Sequence, residues 1–287
     1  VYSGAGADIV ARWQFDEGQP NSVANGTNSI VDSSGNGHNG TPVGGPIYRT
    51  SWSANTGRSL QFDAVDDRVF VPESDSFRTL NSLSIEAVVR LNGVPNSCCN
   101  LGMILFRGDD RPGLDPWYLA YDGGGRLIFS FDDDHGNRTF ILTPQGVPLG
   151  SWVHVAGTLD SVSGWMRLYI NRCQVAAVQT AARPSQLPLN STGGVGIGGS
   201  QSSAINLLAQ ADIDEVRIHN VALARSEMMA GPCHSDFNGD GQSDLFDYLD
   251  FVDAFAAQSL AADFNYDGVV DFFDYLDFVD SFAAGCA

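Results

Sequence analysis

The chain has 287 residues, with 34 acidic against 15 basic side chains and a net charge of −19. Every basic residue is Arg, and the balance excludes nucleic acid or an anionic membrane surface as a partner. No apolar run reaches the roughly 18 residues of a membrane span, so no membrane insertion is expected, and the length suits one large domain plus a small one.

From Asp8 to about His219 the chain alternates apolar and polar residues in short runs, separated by Gly, Asn, Asp and Pro turns. The first runs are DIVARWQF, RSLQFD, DRVFVP, LSIEAVVRL, MILFRG, WYLAYD and RLIFSFD. RTFILT, SWVHVAGTLD, WMRLYIN, QVAAVQT, GVGIGG and DIDEVRIHN follow. About a dozen strands at this spacing, with no helical period between them, predict a mainly β, antiparallel sandwich over residues 1–231. A single helical stretch is expected over Ala222–Ala230, broken by Gly231-Pro232.

Residues 232–287 read as a separate helical domain built from one sequence written twice. DFNGDGQSDLFDYLDFVDAFAA (236–257) and DFNYDGVVDFFDYLDFVDSFAA (263–284) differ at five of 22 positions. Each opens with oxygen ligands spaced for a calcium loop: side chains at loop positions 1, 3, 5, 9 and 12, a carbonyl at 7, and Gly at 6 for the sharp turn. The first set is Asp236, Asn238, Asp240, Gln242, Asp244 and Asp247; the second is Asp263, Asn265, Asp267, Val269, Asp271 and Asp274. Residues 234–287 carry 12 Asp and no Arg, so the metal-free tail repels itself and calcium binding is part of its folding. After each loop a helix is expected. Leu245, Tyr248, Leu249, Phe251, Val252 and Phe255 form one apolar face, opposite Asp247, Asp250 and Asp253. Phe272, Tyr275, Leu276, Phe278, Val279 and Phe282 repeat that face.

Asp rather than Glu at position 12, and no helix entering the first loop, make this tail resemble the type I dockerins, small EF-hand-like modules. Dockerins grip a cohesin through a helix surface near positions 10 and 11, which here are Leu245-Phe246 and Phe272-Phe273. Those positions are usually small or hydroxylic, and the acidic exposed face replaces a basic one. The resemblance therefore implies docking through Phe246 and Phe273 to a partner other than a standard cohesin.

Upstream, WQFDEG, DSSGNGHNG, SLQFDAVDDRVFVP, LSIEAVVRL, SWVHVAGTLD, MRLYINRCQVAA and DIDEVRIHNVALARSE succeed one another. This order resembles the LamG-like jelly rolls of the concanavalin A-like lectin/glucanase superfamily. The resemblance implies two stacked sheets with end loops open to ligands, and a structural third calcium held by the Asp32 carboxylate, carbonyls near Asn36 and His38, and Asp212.

Retaining glycoside hydrolysis needs two carboxyls about 5–5.5 Å apart. The nearest phrase, Asp212 to Arg217, lacks the E-x-D-x-x-E pattern, so no catalytic residue is expected. Sugar binding suits Trp117, Tyr118 and Tyr121 with the loops carrying Arg107, Asp109 and His135, while Trp52 and Trp165 read as packing residues. Cys233 and Cys286 bracket the repeats and are expected to pair, a closure of roughly 4 kcal/mol in the chain-entropy model. Cys173, at a hairpin tip, can meet Cys98 or Cys99.

These features suit a mature, secreted product beginning at Val1. The expected function is calcium-dependent attachment or assembly, with the jelly roll binding a glycan or an extracellular protein and the tail docking or self-associating. Two alternatives stand beside it: a self-assembling homo-oligomeric subunit of a fibre or surface layer, and an accessory module or hydrolase of polysaccharide degradation.

Overall fold

The computed structural model describes residues 9–52, 57–95, 97, 99–111, 113–204, 207–229, 235–238, 243–265 and 269–284. The boundary expected between residues 231 and 232 lies outside them.

The first strands are β1 (Ile9–Trp13), β2 (Thr41–Val43), β3 (Ile47–Thr50), β4 (Arg58–Asp63) and β5 (Arg68–Pro72), followed by a one-turn helix, α1 (Asp75–Arg78). Then come β6 (Leu83–Leu91), β7 (Leu101–Gly108), β8 (Trp117–Asp122), β9 (Arg126–Asp132) and β10 (Arg138–Gly146). The series ends with β11 (Trp152–Leu159), β12 (Trp165–Ile170), β13 (Cys173–Gln179), β14 (Gly194–Ile197) and β15 (Gln210–His219). All thirteen expected runs are strands. β2 and β3 are additional, being too short and too close to Gly44-Gly45-Pro46 to show an alternation of their own.

Every pairing is antiparallel. One sheet runs β13-β12-β11-β6-β15-β4-β3 with β1 also on β15; the other runs β10-β9-β8-β7-β14-β5-β2. The two-residue period of a strand decides which side chains meet between the sheets. On β6, Leu83, Ile85, Ala87, Val89 and Leu91 enter the core, so Ser84, Glu86, Val88 and Arg90 face outward. Trp13, Phe15, Phe62, Phe77, Trp117, Phe129 and Phe131 fill the same core. Gly157 is required there, since a Cβ at that position would lie 2.5 Å from the Phe129 ring.

β15 is broken by a bulge at Asp214-Glu215, where Glu215 takes φ 50°. Its first half pairs with β4 and its second half with β1. The helix expected over Ala222–Ala230 is a correction: only Arg225–Glu227 turn, as a 3-10 helix, between extended Ala224 and Met228. Tertiary bonds take the backbone groups a helix would have used. Arg172 donates to the carbonyls of Met228 (2.8 Å) and Met229 (3.1 Å), and the Met229 N–H donates to Glu86 (3.1 Å).

In the tail, α2 (Leu245–Ala256) and α3 (Phe272–Ala284) bury Phe251 and Phe278 with Phe264, Ala262 and Val270. Phe251 stacks on its counterpart Phe278 at 4.0 Å, and Tyr248 meets its counterpart Tyr275, hydroxyl to hydroxyl, at 3.2 Å. Contacts between equivalent residues are what a two-fold relation between the repeats produces.

Candidate functional site

The tail loops place oxygen donors identically in both copies. Asp247 is wholly buried; its two carboxylate oxygens accept from the N–H of Asn238 (3.0 Å) and of Asp244 (2.8 Å). Asp274, equally buried, accepts from Asn265 (3.1 Å) and Asp271 (2.8 Å). Asp244 and Asp271 in turn accept the N–H of Phe246 and Phe273, each at 2.8 Å, capping the helices. Loop positions 3, 9 and 12 are thus drawn together, and each position-12 oxygen keeps a second lone pair for a cation. This donor chemistry, all carboxylate, amide and carbonyl oxygen, fits a hard divalent ion. Asp240, Gln242 and Asp267 lie outside the described residues, as do Cys233 and Cys286.

The helix faces differ from the sequence reading. Asp247, assigned to the exposed side, is buried because it folds back across its own loop. Leu245 (64% exposed), Leu249, Phe272 and Leu276, assigned to the buried side, face solvent. Phe246 and Phe273 are each 64% exposed.

The set expected for a third cation joins the Asp32 and Asp212 carboxylates to carbonyls near Asn36 and His38, and the structure gives these groups the following partners. Asp32 is buried within its own turn, where it accepts from the N–H groups of Arg12 (3.0 Å), Ser34 (2.9 Å) and His38 (2.9 Å). Burial pushes its pKa up, but these bonds together outweigh burial and hold the carboxyl below its ordinary range. The His38 carbonyl takes the Trp13 indole N–H at 2.8 Å, and the Asn36 amide bonds the carbonyls of Ile9 and Val10. Asp212 sits on the other half of β15, bonded to Arg90 and, at 3.0 Å, to Asn92. Among the described residues, the one cluster of three metal-ligating side chains is Asp63, Asp66 and Asp67, in the turn of SLQFDAVDDRVFVP. Burial, then the neighbouring Asp63 charge, pushes Asp67 up to about 7.

The loops expected to bind sugar do meet at one end of the sandwich. Arg111 donates to the Pro188 carbonyl (2.9 Å), Asp109 accepts from the Asn190 N–H (2.9 Å), and Asp134 accepts from Ser185 (2.8 Å). Most of the side chains are structural, however. Trp117 and Tyr121 are core, and Tyr118 packs with Met103, Phe106 and Leu207 on the outer face of its sheet. Arg107 is fully buried and ion-paired with Glu73, Asp109 is buried against Arg111, and of the six expected residues His135 alone is exposed. Trp165, expected to pack, is 36% exposed beneath the Arg167 guanidinium, 5.2 Å from the ring centre. Cys173 is a buried thiol pushed up to about 11 by burial, not half of a bridge to Cys98 or Cys99.

Sequence reading missed a buried charge cluster on the outer face of β6, β11 and β15. Glu86 accepts from His154 Nε2 and His219 Nε2, both at 3.1 Å, with Arg217 3.9 Å away. The available signal was one strand period: His154 and Glu86 occupy outward positions on paired strands. At the β15 bulge, Asp214 bonds Ser51 and is pushed up to about 8 by burial. Glu215 is clamped by Arg12 (3.0 Å) and Arg217 (3.0 Å). Where β6 begins and β11 and β15 end lies a cleft of about 460 Å³, lined by Ser76, Thr79, Asn81, Ser82, Ser161 and Asn220 with the apolar Val10 and Leu80.

The two antiparallel sheets, packed face to face, make a jelly-roll β-sandwich. Residues 62–228 match the family model of the concanavalin A-like lectin/glucanases superfamily, more than half of the chain, and the protein belongs to that family. The model ends ahead of the repeats. Domain 4 of a GH43 extracellular arabinanase from Geobacillus stearothermophilus, solved in complex with arabinotriose, superposes with a TM-score of 0.55 at 18% identity. That match covers 77% of this chain and 97% of the other. The binding domain of Paraclostridial Mosquitocidal Protein 1 gives 0.52 at 16% identity over 72% of this chain and 50% of that one. Botulinum neurotoxin type C, whose cell entry depends on two ganglioside molecules, gives 0.51 at 13% identity over 77% and 49%. At such identities the likeness is one of fold, and this chain spans about half of each toxin chain. No curated protein matches it. Among the described residues, no helix is long and apolar enough to cross a membrane.

Proposed function

We propose that this protein is an extracellular carbohydrate-binding module whose jelly roll holds a neutral glycan and whose calcium-loaded, dockerin-like tail attaches it to a partner. The observation that carries the glycan reading is the cleft bounded by Ser76, Thr79, Asn81, Ser82, Ser161 and Asn220. Its lining combines uncharged donors and acceptors, which match sugar hydroxyls, with the apolar Val10 and Leu80, and it includes no charged side chain. The arabinotriose bound by one of the fold's neighbours supports the same reading.

Catalysis is not part of this reading. The carboxylates of the Asp212–Arg217 phrase are each engaged internally, by Arg90, Ser51, or Arg12 and Arg217, and the Glu215 bulge breaks the alternation that would align two of them. In the tail, Asp236, Asn238, Asp244 and Asp247, with Asp263, Asn265, Asp271 and Asp274, would hold two calcium ions. The ions would neutralise the carboxylates and lock each loop onto its helix. Phe246 and Phe273, exposed beside acidic residues, suit a partner with an apolar pocket and a basic rim.

A glycan array followed by calorimetry tests the first half. Binding to a neutral polysaccharide should weaken about tenfold or more in Asn81→Ala/Asn220→Ala, two hydrogen bonds at about 1 kcal/mol each. Silence across plant, algal and bacterial polysaccharides refutes the glycan reading. Reducing-sugar release would restore the hydrolase alternative, and calcium-dependent growth in size on gel filtration would favour the self-assembling subunit.

A further inference from the structure

β10 departs from its ladder just before it ends. Leu142 pairs with Ile128, but the next partner pair is Gly146 with Arg126, so three residues of β10 oppose one of β9. Within this bulge the Leu127 N–H is taken by the Thr143 hydroxyl (3.0 Å), which itself donates to the Gln145 carbonyl. Pro144 has no N–H to offer the ladder. A bulge on an edge strand re-aims side chains. Here it turns the Gln145 amide away from the sheet and onto the tail, where Nε2 donates to Asp263 Oδ2 at 2.8 Å.

Asp263 is 5% exposed and occupies position 1 of the second loop. Cys173, at the start of β13, and Arg225, which approaches its sulfur at 3.8 Å, lie within electrostatic range of Asp277 on α3, and Cys173 also of Asp274. β10 and β13 close the same side of the sandwich, so Gln145, Cys173 and Arg225 form one seam facing the second repeat.

We infer that the second calcium loop doubles as a clasp between the two modules, with Gln145 as the jelly-roll residue that positions its first ligand. This rests on the calcium reading above and deepens it. A carboxylate at position 1 gives one oxygen to the ion; the Gln145 amide engages the other and fixes the orientation of the group. Outer partners of this kind tune metal affinity as well as geometry. Linkage makes the effect reciprocal: an ion that favours the oriented carboxylate favours the docked tail, and docking favours the ion by the same factor.

The test is Gln145→Ala in the full chain, titrated with calcium by calorimetry alongside wild type, and compared by small-angle X-ray scattering with and without calcium. Asp247→Asn supplies a background in which only the second loop binds. The expected result is about tenfold weaker calcium binding at the second loop, an unchanged first loop, and a larger radius of gyration in calcium than wild type. Arg225→Ala should enlarge the calcium-bound particle likewise. An unchanged jelly-roll melting temperature in Gln145→Ala shows that the fold is intact, since the half-buried side chain sits on a sheet edge. Two sites of unaltered affinity with unaltered scattering overturn the clasp and leave the calcium reading standing. Wild-type protein that takes up no calcium overturns both.

Discussion

Replacing Glu86 by Gln asks whether the buried cluster beneath the Val221–Met229 strap is a structural anchor. The carboxylate is fully buried and accepts three N–H groups at 3.1 Å, from His154, His219 and the Met229 backbone. An amide of the same shape keeps one accepting oxygen and turns an NH2 group toward a donor, so it both loses acceptor capacity and sets donor against donor. Hydrogen bonds to a charged group contribute about 1.5–3 kcal/mol each, and removing one member of a buried charged set costs about 3–5 kcal/mol. At about 2–4 °C per kcal/mol for a domain of this size, the melting temperature should fall by roughly 6–20 °C. Near-UV circular dichroism melts in calcium-replete buffer measure it. The pH dependence provides a second check. Burial pushes the Glu86 pKa up, but the His154 and His219 bonds outweigh it and hold the carboxyl well below its ordinary 4.5. A depressed carboxyl stabilises the fold above its unfolded value and loses that contribution as pH falls, so the gap between wild type and Glu86→Gln should narrow below about pH 4.5. A loss under about 1 kcal/mol, or a gap that widens in acid, would refute the anchoring role.

Asp247→Ala and Asp274→Ala should each remove one calcium ion in calorimetric titration, and chelator should reduce the far-UV helical signal of the tail; two ions retained in either variant would contradict the ligand assignment. Asp214, raised to about 8 by burial, stabilises the fold fully below its unfolded value and loses that contribution as pH climbs toward 8. Asp214→Asn should therefore be more stable than wild type at pH 9 and lose that advantage toward pH 4 in urea titrations, and equal stability at both ends would count against it. Cys173, buried and pushed up to about 11, should resist iodoacetamide at pH 8 until the protein is unfolded, as followed by mass spectrometry.

Strand positions were legible because each is a local alternation: DRVFVP and LSIEAVVRL announce a buried face within six to nine residues. The duplicated tail was equally local, a row of oxygen-bearing side chains repeated within a dozen residues of each copy. Side chains whose role depends on a neighbour from another strand were not legible. Trp117 and Arg107 looked like a binding surface because aromatic and basic residues in loop-rich sequence suit sugars. They face the core because β7 and β8 put them opposite each other on the inner side. The individual partners of Asp32 and Asp212 were not legible either: the local turn gives Asp32 the His38 N–H, and β15 sets Asp212 beside Asn92.

By itself the sequence determined the character of thirteen of the strands, the acidic duplicated tail and the aromatic helix of each repeat. These follow from periodicity, and a period is a property of neighbours along the chain. Only the tertiary structure decided where buried charge resides and how the modules meet. Glu86 collects His154 and His219 from strands far apart in sequence, and Gln145 reaches Asp263 across 118 residues because a bulge re-aims it. The physical reason is the cost of leaving a buried polar group unpaired: the partner is whichever group the packing brings within about 3 Å, and no local pattern records it.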